Sequence, residues 1–285
     1  MKSEVDLSGK RIMVTGATSG IGEVTARELA RRGGEVILVS RNPEKCQRIT
    51  DHIRADTGNP RVSYLAADLS SQEQIRDLVQ SFQEKYDQLD VLVNNAGGFF
   101  WERRESVDGI EMTLALNHLN YFLLTHLLLD SLLSSPEPRI VNVSSGAHRG
   151  RKLDFNNLEM EGGYSASKAY GRSKLANLYF TYELDRRLAD RKITVNALHP
   201  GFVATNFARE GSSLLRYLMP LVQLLARSPE KGAQTSLYLA GSPEAAGVSG
   251  KYFVDRESVK SSPVSYDREA ARQLWEISED MTGIK

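Results

Sequence analysis

A glycine-spaced turn, Thr15-Gly16-Ala17-Thr18-Ser19-Gly20-Ile21-Gly22, follows the apolar run Ile12-Met13-Val14 and precedes a helical pattern. Between a strand and a helix, residues without a Cβ let the chain turn tightly and press its backbone against a pyrophosphate. The free N–H groups of the helix start then face the negative charge. The turn therefore predicts a nucleotide ligand. Its spacing, Gly16-x-x-x-Gly20-x-Gly22, differs from the G-x-G-x-x-G arrangement of many dinucleotide sites. A purely structural loop is the plainer reading of three glycines taken alone.

Short β-rich runs alternate with amphipathic stretches along the chain, which is the pattern of a parallel sheet covered by helices. Expected strands are Arg11 to Thr15, Val36 to Ser40, Val62 to Ala66, Val91 to Asn94, Ile140 to Val143, Thr194 to Leu198 and Tyr252 to Val254. Expected helices are Gly22 to Arg32, Ser71 to Tyr86, Asp108 to Leu133, Tyr164 to Ala189, Pro229 to Leu239 and Tyr266 to Met281. No linker, repeat or low-complexity tract divides the 285 residues, so one doubly wound α/β domain over 1–285 is expected.

Composition narrows the function classes. With 36 basic and 36 acidic side chains, the chain offers no electrostatic footprint for nucleic acid. Cys46 is the only cysteine, which excludes an internal disulfide and fits a reducing, cytoplasmic setting. The five histidines lack metal-ligand spacing, so no metal is expected. Met1 to Asp6 reads as neither a secretory signal nor an anchor, and Tyr121 to Leu133 is too short to span a bilayer.

The second strand should end at the adenosine ribose, and here it ends Val39-Ser40-Arg41. An acidic residue there would repel a 2′-phosphate, whereas an arginine pairs with it, so NADP(H) is favoured over NAD(H). Arg41 as a simple loop residue is the competing reading. Asp68, after the third strand, either contacts the adenine or caps the following helix.

Five segments together resemble the short-chain dehydrogenase/reductase family. They are the glycine turn, Asn94-Asn95-Ala96-Gly97, Asn117, Asn142-Val143-Ser144-Ser145, and a Tyr-x-x-x-Lys pair. The resemblance covers nearly the whole chain. It implies a Rossmann-type domain with a seven-stranded, mostly parallel sheet in the order 3-2-1-4-5-6-7. It also implies a dinucleotide held by Gly16, Thr18, Ser19, Gly20, Ile21, Gly22, Asp68, Leu69, Asn95, Ala96, Gly97, Pro200, Gly201, Val203 and Thr205. Family members pair through helices flanking the active centre, so a homodimer is among the implied assemblies.

Two tyrosine–lysine pairs compete for the catalytic position: Tyr164 with Lys168, and Tyr170 with Lys174. Each would lie on one helix face, and spacing from Ser145 selects neither. The run Ser173-Lys174-Leu175-Ala176-Asn177, the segment Asn117 to Leu129 and Gly232-Ala233-Gln234-Thr235-Ser236 resemble the retinol dehydrogenase-like branch. That resemblance implies Tyr170 and Lys174 as the acid–base pair, with Tyr164 lining the pocket.

Chemistry supplies the expected roles. A tyrosine is a poor base near neutral pH unless positive charge favours the phenolate, and Lys174 one turn on would supply that charge. Ser145 would stabilise charge developing on the substrate oxygen. Asn117 would hold a proton-passing water, a role carried over from the resemblance. His199 is not expected to be catalytic.

The apolar segment 206–228 reads as a lid over a lipophilic substrate, with core packing or a surface dipping into a membrane interface as rivals. Phe99, Phe100 and Trp101 are candidates for the opposite wall. The expected activity is interconversion of hydrophobic aldehydes or ketones and their alcohols, retinoid-like compounds included. A broad carbonyl or steroid/polyketide reductase is the alternative. An NADP(H)-sensing binding protein is the non-enzyme reading, against which the set Ser145, Tyr170, Lys174 argues.

Overall fold

A computed structural model describes residues 5–201 and 227–284. β1 (Arg11–Thr15) leads through the glycine turn into α1 (Gly20–Arg31), followed by β2 (Glu35–Ser40), α2 (Pro43–Thr57), β3 (Val62–Ala66), α3 (Gln72–Gln83) and β4 (Val91–Asn94). A broken helical stretch comes next: α4 (Met112–Leu114), a π-helical turn (Ala115–Leu119), α5 (Asn120–Leu127) and α6 (Leu129–Leu133). Then come β5 (Arg139–Val143), α7 (Ala166–Arg187), β6 (Thr194–His199), α8 (Pro229–Gly241), β7 (Tyr252–Val254), β8 (Glu257–Val259) and α9 (Arg268–Thr282).

The sheet order is β3-β2-β1-β4-β5-β6-β7-β8. It reproduces the expected seven-strand order and adds an eighth strand, antiparallel to β7. The hairpin between β7 and β8 turns through Asp255 (φ 51) and Arg256 (φ 70), both left-handed. β8 is exposed at all three residues, so it carries no apolar alternation to announce it.

Alternation along β1 explains the two-sided burial. Ile12 and Val14 face a cluster with Val24 and Leu29 of α1 and Leu237 of α8. Met13 faces the other side with Ile75, Leu78 and Phe82 of α3, Phe122 of α5 and Phe180 of α7. Both faces need apolar side chains, so the strand reads as a continuous hydrophobic run.

Several helix ends follow their local sequence. Ser71 caps α3 by accepting from the Gln74 N–H, so Asp68 is not the cap. Its Oδ1 instead accepts from the Ser70 backbone at 3.0 Å and hydroxyl at 2.7 Å. α2 was not among the expected helices. Asn42 caps it, Pro43 opens it and Gly58 closes it in the left-handed region, but only Cys46, Thr50 and Ile53 are buried along it. The expected helix from Asp108 begins only at Met112, capped by Glu111.

α9 locks onto the α5 and α7 face through Trp275, whose ring lies 5.1 Å from Phe122 edge-on and 5.9 Å from Phe180. The Arg187 guanidinium covers the same indole at 4.2 Å. No helix among the described residues is long and apolar enough to cross a membrane. Trp275→Ala should cost about 3–5 kcal/mol, lowering Tm by on the order of 10 °C in thermal denaturation followed by circular dichroism. A loss below about 2 °C would place α9 outside the cooperative core.

Candidate active site

The glycine turn is shaped by what surrounds it. Gly16 has φ 65, and a Cβ there would stand 2.9 Å from Ala96 Cα and 3.0 Å from Asn95 Nδ2. A Cβ on Gly22 would stand 2.5 Å from Asn95 Nδ2 and closer still to the Gly16 carbonyl oxygen. Asn95 in turn donates Nδ2 to the Thr15 carbonyl at 2.7 Å. The Thr15 hydroxyl receives the backbone N–H groups of Asn95 (2.8 Å) and Ala96 (2.9 Å). Ser19 stands at the N-cap of α1 without a side-chain bond to its N–H groups, so those donors are not consumed by the cap. This cradle fits a dinucleotide pyrophosphate.

Other predicted cofactor residues sit around it. Thr18 and Ser40 share a hydroxyl–hydroxyl hydrogen bond of 2.9 Å. Arg41, at the end of β2, is exposed. Leu69 is buried in the core beside α3. Pro200 and Gly201 follow β6, and the Arg227 side chain lies over Gly201 while pairing with Asp255. Val203, Thr205 and segment 206–226 lie outside the described residues. Arg227 makes that ion pair, and Ser228 caps α8.

Tyr170, Lys174, Ser145 and Asn117 converge at the carboxyl ends of β4 and β5. The Ser145 side chain neighbours the Tyr170 hydroxyl and acts to lower its pKa. Lys174 Nζ lies 5.6 Å from the Tyr170 ring centre and donates to the Val143 carbonyl at 3.0 Å. The Ser144 hydroxyl donates to the Lys174 carbonyl at 2.7 Å, tying α7 to the end of β5.

Asn117 lies in the π-helical turn, a distortion that recurs at functional sites. Its Oδ1 accepts from the Gly98 N–H at 2.7 Å, and its Nδ2 donates to the Gly98 carbonyl and to Ser173 Oγ, each at 3.0 Å. The side chain thus positions Gly98 and Ser173.

The two tyrosine–lysine pairs differ in place. Tyr170 and Lys174 both lie within α7, but Tyr164 precedes it, so Tyr164 and Lys168 do not share a helix face. Lys168 is exposed. Tyr164 donates its hydroxyl to the Phe100 carbonyl at 2.8 Å.

Burial dominates the electrostatics of the pair. Burial pushes the Tyr170 phenol up to about 12, opposed by the Ser145 side chain. Burial also pulls the Lys174 ammonium down to about 7. At neutral pH the proton rests on Tyr170, which suits the phenol to act as an acid.

Two histidines escaped the sequence reading as supports for Ser145. His148 accepts from the Ser262 N–H through Nε2 at 3.1 Å, so its Nδ1 carries the proton and donates to the Ser145 carbonyl at 2.6 Å. His199 Nδ1 accepts from the Gly146 N–H at 3.1 Å. Burial lowers the pKa of both rings, favouring the neutral forms these bonds need. Neither histidine has a sequence signal, because each partner is backbone.

Fold and site together define a dinucleotide-binding α/β oxidoreductase. Residues 10–213 match the short chain dehydrogenase family, and the chain belongs to that family, in its retinol dehydrogenase-like branch. It is 43% identical over 289 residues to human retinol dehydrogenase 13, covering 99% of this chain and 87% of the relative. A solved protein from Mycobacterium paratuberculosis superposes with a TM-score of 0.81 at 32% identity, covering 99% of this chain and 96% of that one. A short chain dehydrogenase from Escherichia coli CFT073 complexed with NADPH gives 0.70 at 28% identity, covering 88% and 98%.

Lys174 sets a stability test. Its unfolded value is near 10.5, so between about pH 7 and 10.5 the unfolded chain binds a proton that the folded chain does not. Stability from this group therefore rises with pH across that window, and the full cost of burying the ammonium applies below it. Lys174→Met should raise Tm by about 2 °C or more near pH ~6, a gain that shrinks by pH ~9. Scanning fluorimetry showing an equal gain at both pH values would contradict a buried, titrating ammonium.

Proposed function

We propose that this chain interconverts hydrophobic aldehydes or ketones and their alcohols with NADP(H). The observation that carries the reading is the joint placement of Tyr170 on Ser145 with the Lys174 ammonium beside the phenol ring. Ser145 orients the substrate oxygen and donates to it as negative charge develops. Tyr170 delivers its proton to that oxygen during reduction, and Lys174 offsets the phenolate left behind. In oxidation the same phenol is the base, and the positive charge then needed falls to Lys174.

The cradle of Gly16, Thr18, Ser19, Gly20, Ile21 and Gly22 would hold the pyrophosphate, and Arg41 the 2′-phosphate. Asp68 and Leu69 would border the adenine, and Asn95, Ala96 and Gly97 the nicotinamide-side ribose. Pro200 and Gly201, with Val203 and Thr205 beyond the described residues, would border the amide. When bound, the reduced nicotinamide supplies the hydride. NADP(H) is favoured by the exposed Arg41, and the Escherichia coli relative complexed with NADPH accords with it. A lipophilic substrate is supported by Phe99 beside Tyr170 at 5.6 Å between ring centres and by the exposed Trp101.

Absorbance of NADPH during incubation with a panel of aliphatic and aromatic aldehydes tests the assignment. Tyr170→Phe should lower kcat/KM by about 10²- to 10⁴-fold without weakening NADPH binding by more than about threefold. A purified wild type that binds NADPH and reduces none of the panel would instead indicate a nucleotide sensor. Arg41→Asp should shift the NADPH-to-NADH ratio of kcat/KM by at least about tenfold toward NADH, since it replaces a phosphate partner with a repelling charge. An unchanged ratio would remove Arg41 from the 2′-phosphate site.

A further inference from the structure

We propose that Tyr164 is a positioning residue that fixes the aromatic wall of the substrate cleft and thereby sets a preference for bulky apolar carbonyl compounds. This rests on the oxidoreductase reading above and assigns the second tyrosine a task distinct from proton transfer.

The chain leaving β4 is held at two points. Asn117 grips both backbone groups of Gly98, at 2.7 and 3.0 Å. Two residues on, the Phe100 carbonyl accepts the Tyr164 hydroxyl at 2.8 Å. Between these anchors stands Phe99, whose ring packs on Tyr170 at 5.6 Å and meets Trp101 edge-on at 4.9 Å. The Phe100 ring folds back over Gly98, where a Cβ would stand 2.8 Å from its Cζ. Trp101, 38% exposed, continues the aromatic surface outward.

The donor proton of Tyr164 is directed at this one acceptor. Its neighbour Thr113, 3.4 Å away, gives its own hydroxyl proton to Glu111 Oε1 at 2.7 Å. Glu111 is buried and also accepts from the backbone of Thr113 and Leu114, so the shelf under Tyr164 is itself fixed. Burial raises the Tyr164 phenol above its ordinary value, which keeps it a donor.

On this reading a short aldehyde would reach Ser145 and Tyr170 with little contact to the outer wall at Trp101, whereas a long apolar one would lie along Phe99 and Trp101. Loosening Phe100 therefore penalises the long substrate in binding and leaves the proton-transfer step alone.

Tyr164→Phe deletes the anchor to Phe100 and the longer contact with Thr113, and keeps the ring. With NADPH saturating, it should raise KM for nonanal about three- to tenfold while kcat stays within about twofold, and propanal should be affected less in KM. Amide hydrogen exchange at residues 99–103 should quicken without a change at 15–22. A matching loss of kcat for both aldehydes would overturn the proposal by placing Tyr164 in proton transfer, and an unaltered KM for nonanal would overturn it by removing Tyr164 from the wall. If the wild type reduces no aldehyde, the oxidoreductase reading fails, and the substrate preference with it. Exchange at 99–103 then decides the anchor alone, and unchanged exchange rejects it.

Discussion

The amide of Asn95 occupies space that any side chain on residue 22 would need. That close approach joins two elements far apart in sequence: the turn after β1 and the end of β4. Thr15 accepts both N–H groups beyond β4, and Asn95 reaches back to the carbonyl of Thr15. The same β4 exit then passes Gly97, where a Cβ would stand 3.1 Å from Asn117 Oδ1 and 3.6 Å from Lys174 Nζ. The separation between phosphate cradle and proton-transfer group is therefore set by strand pairing, which a sheet holds more tightly than a loop could.

A second set of polar contacts keeps α7 in register with the sheet. Asn94 Nδ2 donates to Thr125 of α5 and to Asn142 of β5, and Asn142 donates to Thr181 of α7. All four side chains are fully buried. Inside an apolar layer, unpaired amide donors would be costly, so only a narrow set of helix positions pairs the Nδ2 groups of Asn94 and Asn142. Tyr170 and Lys174 lie on the helix fixed in this way. The buried ammonium works in the opposite direction, since its desolvation opposes folding. The site is held by neighbours that outweigh it.

The strands and the glycine turn were legible because each rests on local chemistry, namely apolar runs, small residues at a turn and Ser71 before its helix, whereas the sheet order was implied by the family resemblance. α2 was missed although Asn42, Pro43 and Gly58 mark both ends, because three buried positions make too thin a stripe. The break at Ala115–Leu119 gave no sign, since Ala115, Asn117, His118 and Leu119 are all buried and leave no exposed face to set a period. Among site residues, Ser145, Tyr170 and Lys174 were named from motif resemblance, but the burial of the phenol and the ammonium was not. Desolvation depends on what tertiary packing removes from water, and no spacing encodes it. His148 and Tyr164 act on main-chain carbonyls, so their partners were invisible in side-chain patterns.

β8 has a consequence for the molecule in crowded solution. A parallel sheet ending at β7 would present a row of open main-chain donors and acceptors to any passing chain. The three-residue hairpin arm occupies that row, and its outward Glu257 adds charge at the rim. So brief and fully wetted a strand is a poor template for edge-to-edge pairing between molecules. Its left-handed corner at Asp255 and Arg256 is the backbone strain that accompanies this safeguard against aggregation.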